Sequence, residues 1–169
     1  KTITIAEFNC LHLGWNNGKD LKALASVIAT YDIVGLTEVM NPETLSEVEK
    51  ETESLTGADW EHVVSAQKLG RSSYKEYYAF MYRKDNTTYL SGSSKIWIDA
   101  GDKFEREPFY ASFRSGNFDY TLILMHSDFD NNKEVMRKEA RELAKVFNVI
   151  QDADPNENDL ILMGDFNLK

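Results

Sequence analysis

The chain has one cysteine, Cys10, and only three prolines among its 169 residues. A single thiol excludes an internal disulfide and any zinc site built on a CxxC pair. No apolar run approaches the roughly 18 residues of a membrane-spanning helix, so no membrane partner is expected, and no segment has the form of a signal peptide. Positive charge is scarce as well: 19 Lys and Arg stand against 28 Asp and Glu, a formal net charge of −9. That balance argues against holding nucleic acid by bulk electrostatic attraction. It leaves room for a carboxylate-rich centre that takes up divalent metal, because such a centre is acidic before the ion arrives. The first residue is Lys1 rather than Met, the form of a mature or trimmed product, which accommodates a secreted or periplasmic protein.

The apolar residues that are present, 42% of the chain, suffice for one sizeable core, so a single domain is expected over 1–169. No repeat, low-complexity tract or linker interrupts it. Thr2 to Phe8 alternates as a strand with Asn9 at its end, and Leu21, Leu24, Ala25, Ile28 and Tyr31 recur at helical spacing. Asp32 to Glu38 reads as a buried strand. Asn41-Pro42-Glu43 starts a helix whose inner face is Leu45, Val48, Thr52 and Leu55, with Gly57 closing it. Short strands are expected near 60–65, 76–83, 87–98, 108–114 and 118–125. A long amphipathic helix covers about 132–151, with Met136, Ala140, Leu143, Phe147 and Ile150 on one face, before a last strand from Asp159 to Phe166. Strands joined by both helical crossovers and hairpins indicate a mixed α/β sandwich.

The chemistry gathers where strands end. The run Asp159-Leu-Ile-Leu-Met-Gly-Asp-Phe-Asn167 delivers a carboxylate, Asp165, and an amide, Asn167, to a sheet rim where a metal and a phosphate can meet them. Asn9, Glu38 and His126 each follow a similar run. Two carboxylates and an amide suit Mg²⁺, which is usually held by one or two carboxylates and keeps waters for a substrate phosphate. Each residue taken alone has a plainer alternative. Glu38 can cap the Asn41 helix, Asn9 can form a turn, and His126 can be a satisfied core group. His62 falls on an alternating strand and reads as solvent-facing; His12 reads as a loop residue.

Taken together, these residues resemble the endonuclease/exonuclease/phosphatase superfamily, and most closely its secreted deoxyribonuclease I-like branch. The superfamily marks are Ile5-Ala-Glu-Phe-Asn9, Asp32-Ile-Val-Gly-Leu-Thr-Glu38, Leu124-Met-His126 and Gly164-Asp-Phe-Asn167. The branch marks are Leu69-Gly-Arg-Ser-Ser-Tyr-Lys-Glu-Tyr-Tyr78 with Tyr82-Arg83, and Arg106-Glu-Pro108. The resemblance implies a four-layer α/β sandwich, two mixed β-sheets flanked by helices, that hydrolyses DNA phosphodiester bonds with a divalent metal and leaves 5′-phosphate ends. Mg²⁺ is the implied ion, with Mn²⁺ or Ca²⁺ as variants. Glu38 is then the main metal ligand, with Asn9 and Asp165 completing or orienting the hydrated ion. Asn167 holds the scissile phosphate, and His126 transfers a proton while paired with Glu76. A carboxylate against one imidazole nitrogen fixes the tautomer and favours the protonated ring. Tyr74 is placed on a deoxyribose, Arg106 on a backbone phosphate, and Arg71 with them as a substrate-binding residue.

Two departures qualify the resemblance. The family's domains continue past the Gly-Asp-Phe-Asn strand, adding sheet and a Ser-Asp-His segment with a second catalytic histidine, and none of this lies within a sequence ending at Lys169. A sandwich lacking its C-terminal strands is therefore expected, with a C-terminal remnant or a second chain along the exposed sheet edge. The arginines that the family places in the minor groove are replaced by Leu11 and Met40. Two alternatives stand beside the nuclease: a shortened, non-catalytic DNA- or phosphate-binding module, and a phosphodiesterase or phosphatase acting on a lipid or inositol phosphate.

Overall fold

Side-chain alternation sets the architecture of the computed structural model, which describes residues 2–129, 132–156 and 158–167. In β4 (Tyr77–Arg83), Tyr78, Phe80 and Tyr82 face one way while Ala79 and Met81 face the other. In β8 (Phe118–His126), Tyr120, Leu122 and Leu124 form the matching row. These rows meet Phe109, Ala111 and Phe113 of β7 (Phe109–Ser115) in one inter-sheet core. Phe80 lies 5.4 Å from both Phe109 and Phe113, stacked on the first and edge-on to the second. Burying each such side chain contributes about 1.5–3 kcal/mol.

The opposite face of the first sheet carries helices. Val34, Leu36 and Val39 of β2 (Ile33–Val39), with Ala79 and Met81, pack on Ile28 of α1 (Leu21–Ile28) and on Leu45 and Val48 of α2 (Glu43–Thr56). On the outer side of the second sheet, Met125 packs against Leu143 and Val146 of α3 (Lys133–Ala153). The result is the expected four-layer α/β sandwich of two mixed sheets flanked by helices. The first sheet runs β1 (Ile5–Leu13), β2, β4, β3 (Trp60–Val64), with β1 and β2 parallel. The second runs β5 (Thr88–Tyr89), β7, β8, β9 (Leu160–Asp165), with β8 and β9 parallel and β6 (Lys95–Ile96) also paired to β7. Both parallel pairs are joined through helices, as parallel strands require. Among the described residues β1 and β9 are edge strands, facing each other across the cleft.

Several sequence expectations are corrected. The single strand expected over 87–98 is two short strands separated by a turn at 91–92. β1 runs on past Asn9 to Leu13, with its register shifting between the two. Leu55 is exposed rather than inward, because the last turn of α2 bends over Trp60 through Glu53 and Thr56. The buried face of α3 is Met136, Glu139, Leu143 and Val146, with Ala140, Phe147 and Ile150 at its margin. His62 is half-buried, its Nδ1 2.5 Å from Glu49 on α2, and is not solvent-facing.

Gly164 shows how tightly the second sheet closes. Its φ is +153°, and a Cβ there would lie 1.8 Å from the carbonyl oxygen of Met125 on β8. Gly57, at φ +67° after α2, has open space around it. Gly164→Ala is expected to lower stability in urea unfolding by about 3 kcal/mol or more, through backbone displacement. Gly57→Ala should cost only about 1 kcal/mol. Equal effects of the two substitutions would contradict this packing.

Candidate active site

Four side chains continue the inward-facing rows beyond the apolar core. Asn9 follows Ile5 and Glu7, Glu76 precedes Tyr78, His126 follows Leu124, and Asp165 follows Met163, each in step with the period of two. They reach the same end of the cleft between the sheets. Glu38 breaks the rule: Val34 and Leu36 face the helices, so alternation assigns Glu38 outward too. Its backbone adopts φ +55°, which turns the carboxylate to the strand end and leaves Val39 in the helix-facing core. The cavity there, about 460 Å³, is lined by Asn9, Glu38, Tyr74, Arg106, His126, Asp165 and Asn167, together with His12, Glu105 and Asp128.

Glu76 is fully buried and meets groups from three elements. One oxygen takes His126 Nδ1 at 2.7 Å and ion-pairs with Arg106 Nε at 2.9 Å; the other takes the backbone N–H of Glu38. Tyr78 brackets His126, its hydroxyl accepting from the His126 N–H at 2.9 Å and donating to the His126 carbonyl at 3.3 Å. The imidazole is therefore oriented through Nδ1, leaving Nε2 for exchange with whatever enters the cavity.

Asn9 Nδ2 donates to Glu38 Oε1 at 2.9 Å and to Asp165 Oδ2 at 3.2 Å, so two carboxylates converge on one point. The described residues contain no cluster of three or more His, Cys, Asp or Glu that fits a metal ion. The two carboxylates nonetheless fit an ion of the Mg²⁺ type, which keeps most of its shell as water. Asn9, expected as a third ligand, turns its NH2 to them and its oxygen to the Leu11 N–H, so it holds the pair together instead. Asn167, at φ +50°, donates its backbone N–H to Asp165 at 3.1 Å and one amide proton to the Ser127 carbonyl at 2.9 Å.

The substrate-binding expectations fare differently. Tyr74 lies on the cavity wall, with Arg106 Cζ 5.8 Å from its ring centroid. Arg106 itself is 5% exposed, held by Glu76 and by the carbonyls of His126 (3.1 Å) and Ser127 (2.9 Å). It thus braces the site from a buried position, its charge compensated by the adjoining carboxylate, and also lines the cavity. Arg71 points to Asp102 and Glu105, 3.3 Å from each, and does not line the cavity.

Some site residues escaped the sequence reading. Glu139 is buried within the apolar face of α3 and accepts the backbone N–H groups of Glu105 and Asp128, both at 2.9 Å. Burial raises its pKa. An acid in the Met136–Leu143 stripe was its visible signal. His12, expected in a loop, sits near the end of β1 with Nε2 3.3 Å from Glu38. Glu7, an acid within the inward row Ile3, Ile5, Glu7, Asn9, accepts from Thr37 at 3.1 Å. Burial pushes its carboxyl up to about 6; Asp165 and Glu76 add to the rise, while Thr37 and His126 oppose it.

The fold is one already known from solved proteins. D. rerio TDP2 complexed with single strand DNA product superposes with a TM-score of 0.68 at 22% identity, over 99% of this chain and 61% of that one. An endonuclease/exonuclease/phosphatase family protein from Bacteroides thetaiotaomicron gives 0.68 at 16% identity, over 98% and 63%. The Endonuclease/Exonuclease/phosphatase family pattern matches residues 6–169, and the chain belongs to that family, in its deoxyribonuclease I-like branch. A deoxyribonuclease from Thioalkalivibrio sp. (strain K90mix) is 36% identical over 98% of this chain and 46% of its own length. Deoxyribonuclease-1-like 1 from Cricetulus griseus is 33% identical over 87% and 48%. The chain spans about half the length of these curated relatives.

Glu7 makes the site's electrostatics measurable. Its ordinary pKa is near 4.5, so between there and about 6 the native state binds more protons than the unfolded chain. Stability from this group is full below pH 4.5 and is lost as pH rises through 6. Glu7→Gln, unfolded with urea in EDTA, should match wild type near pH 4 and exceed it by about 1–2 kcal/mol at pH 8. A difference that does not vary with pH would overturn this assignment.

Proposed function

We propose that this site hydrolyses phosphodiester bonds of DNA with a divalent ion, Mg²⁺ for preference, leaving 5′-phosphate and 3′-hydroxyl ends. The observation that carries the reading is the convergence, at one cavity, of the Glu38–Asn9–Asp165 set, Asn167 and a His126 oriented by Glu76. The deoxyribonuclease names of the relatives supply the substrate class. Glu38 and Asp165 are assigned as the carboxylates that hold the ion, and Asn9 keeps them convergent. When bound, the ion neutralises charge developing on the phosphoryl oxygens.

Asn167 is assigned to the scissile phosphate, its position set by Asp165 and Ser127. As water adds to phosphorus the bond to the 3′-oxygen breaks, His126 Nε2 gives that oxygen its proton, and the water's surplus proton passes to solvent, from which the imidazole is reprotonated. Glu76 accepts from Nδ1 throughout, so the ring keeps one tautomer and one orientation. A secreted or periplasmic setting fits the relatives' branch and is part of the proposal.

Glu38→Gln should weaken Mg²⁺ binding in calorimetry by at least about tenfold while leaving the unfolding midpoint near wild type. In an enzyme completed by the C-terminal segment that the family carries, His126→Ala should keep Mg²⁺ affinity yet lower plasmid nicking at least ~10²-fold. Wild-type Mg²⁺ affinity in the Glu38 variant, or unchanged nicking without His126, would count against this function.

A further inference from the structure

We infer that Trp15, backed by His12 and Tyr74, is a stacking platform for an unpaired nucleotide base, next to the hydrolytic cavity. The inference deepens the proposed function and rests on its reading of DNA as the bound polymer. Trp15 stacks on His12 with centroids 4.4 Å apart and an interplanar angle of 26°. Tyr74 meets His12 edge-on at 5.7 Å and Trp15 at 6.2 Å. Trp15 is nonetheless 49% exposed, while Tyr78, Phe80, Phe109, Phe113 and Tyr120 fill the inter-sheet core.

The platform is held in place. Asn17 Nδ2 donates to the His12 carbonyl at 3.2 Å, and the Trp15 N–H returns to the same oxygen at 3.2 Å. A Cβ on Gly14 would lie 2.7 Å from Asn41, so the loop is packed hard against the entry to α2. His12 in turn is tied to Glu38 by its ring and by its backbone N–H, at 3.3 and 3.1 Å. An exposed aromatic held this rigidly offers contact area with little ordering cost on binding.

The surroundings select the ligand. A second cavity of about 460 Å³ lies beside Trp15, walled by Met40, Tyr74, Ser73 and two lysines, Lys68 and Lys75. Lys68 Nζ sits 5.8 Å from the Tyr77 ring centroid. Tyr74 is the wall shared with the hydrolytic cavity, which is lined instead by Glu38, Glu105, Asp128 and Asp165. One side of Tyr74 is acidic and suits an ion with a phosphate; the other is aromatic and basic and suits a base with its backbone. In a duplex each base face is covered by its neighbours, so a ring platform takes bases that are unpaired or displaced.

The test uses fluorescence anisotropy in EDTA, where no hydrolysis occurs. The probes are a short labelled single-stranded oligodeoxynucleotide, an abasic oligonucleotide of equal length, and a blunt duplex. Trp15→Ala should weaken single-strand binding about tenfold, as expected for one lost stacked base, and Trp15→Phe should stay within about threefold of wild type. Abasic and duplex binding should not change in either variant. An equal loss on the abasic strand, no loss on the single strand, or no single-strand binding by wild type overturns the inference. Plasmid nicking separates the two readings. Unchanged single-strand affinity in a variant that still nicks defeats the platform alone. Trp15-dependent binding by a protein that carries the family's C-terminal segment and still never nicks defeats the hydrolytic reading alone.

Discussion

One buried carboxylate holds the working end of this sandwich together. Glu76 accepts from the His126 ring on β8 and from the Glu38 backbone on β2, and ion-pairs with the Arg106 guanidinium before β7. Both sheets therefore meet at a single group that water does not reach. Desolvating that charge is costly, and the arrangement persists because two donors and one compensating cation face it together. Removing the carboxylate would leave Arg106 buried without its partner, an imbalance of about 3–5 kcal/mol by the general behaviour of such pairs. Structure and chemistry are thus coupled: the group that orients the imidazole also braces the fold.

The backbone around this group is strained in a consistent way. Leu11, His12, Glu38 and Asn167 all take positive φ, which costs a non-glycine residue roughly 1–2 kcal/mol. Each backbone N–H is then held by a site side chain: Leu11 by Asn9, His12 by Glu38, Glu38 by Glu76 and Asn167 by Asp165. The side chains assigned to metal and phosphate are therefore also acceptors for the turns that present them. Such a site is pre-formed before any ligand arrives, at the expense of local strain that the surrounding core supports.

Charge is divided with equal clarity. The molecule is acidic as a whole, and Glu7, Glu38, Glu76, Asp165 and Glu139 lie within or beside the cavity. Lysines at the neighbouring aromatic cavity run against that trend. The net charge of −9 repels a polyanion at long range, so the proposed binding of DNA rests on this local pattern.

Much of this was legible in the residues themselves. Apolar and alternating runs are local properties of each strand, and they put Asn9, Glu38, His126 and Asp165 at strand ends, while Glu76 was named only through the family resemblance. The apolar rows and the Gly-Asp-Phe-Asn strand pointed to a layered α/β sandwich for the same local reason. Tertiary structure decided the rest. Glu38 faces the cleft only because a positive φ reverses its alternation. Glu76 and His126 meet across fifty positions because sheet pairing and core packing bring two rows to one end. Arg106 became a buried brace and His12 a partner of Trp15 through neighbours far away in the chain. A strand encodes which face a side chain takes; which strand lies opposite is settled by the packing of the whole core.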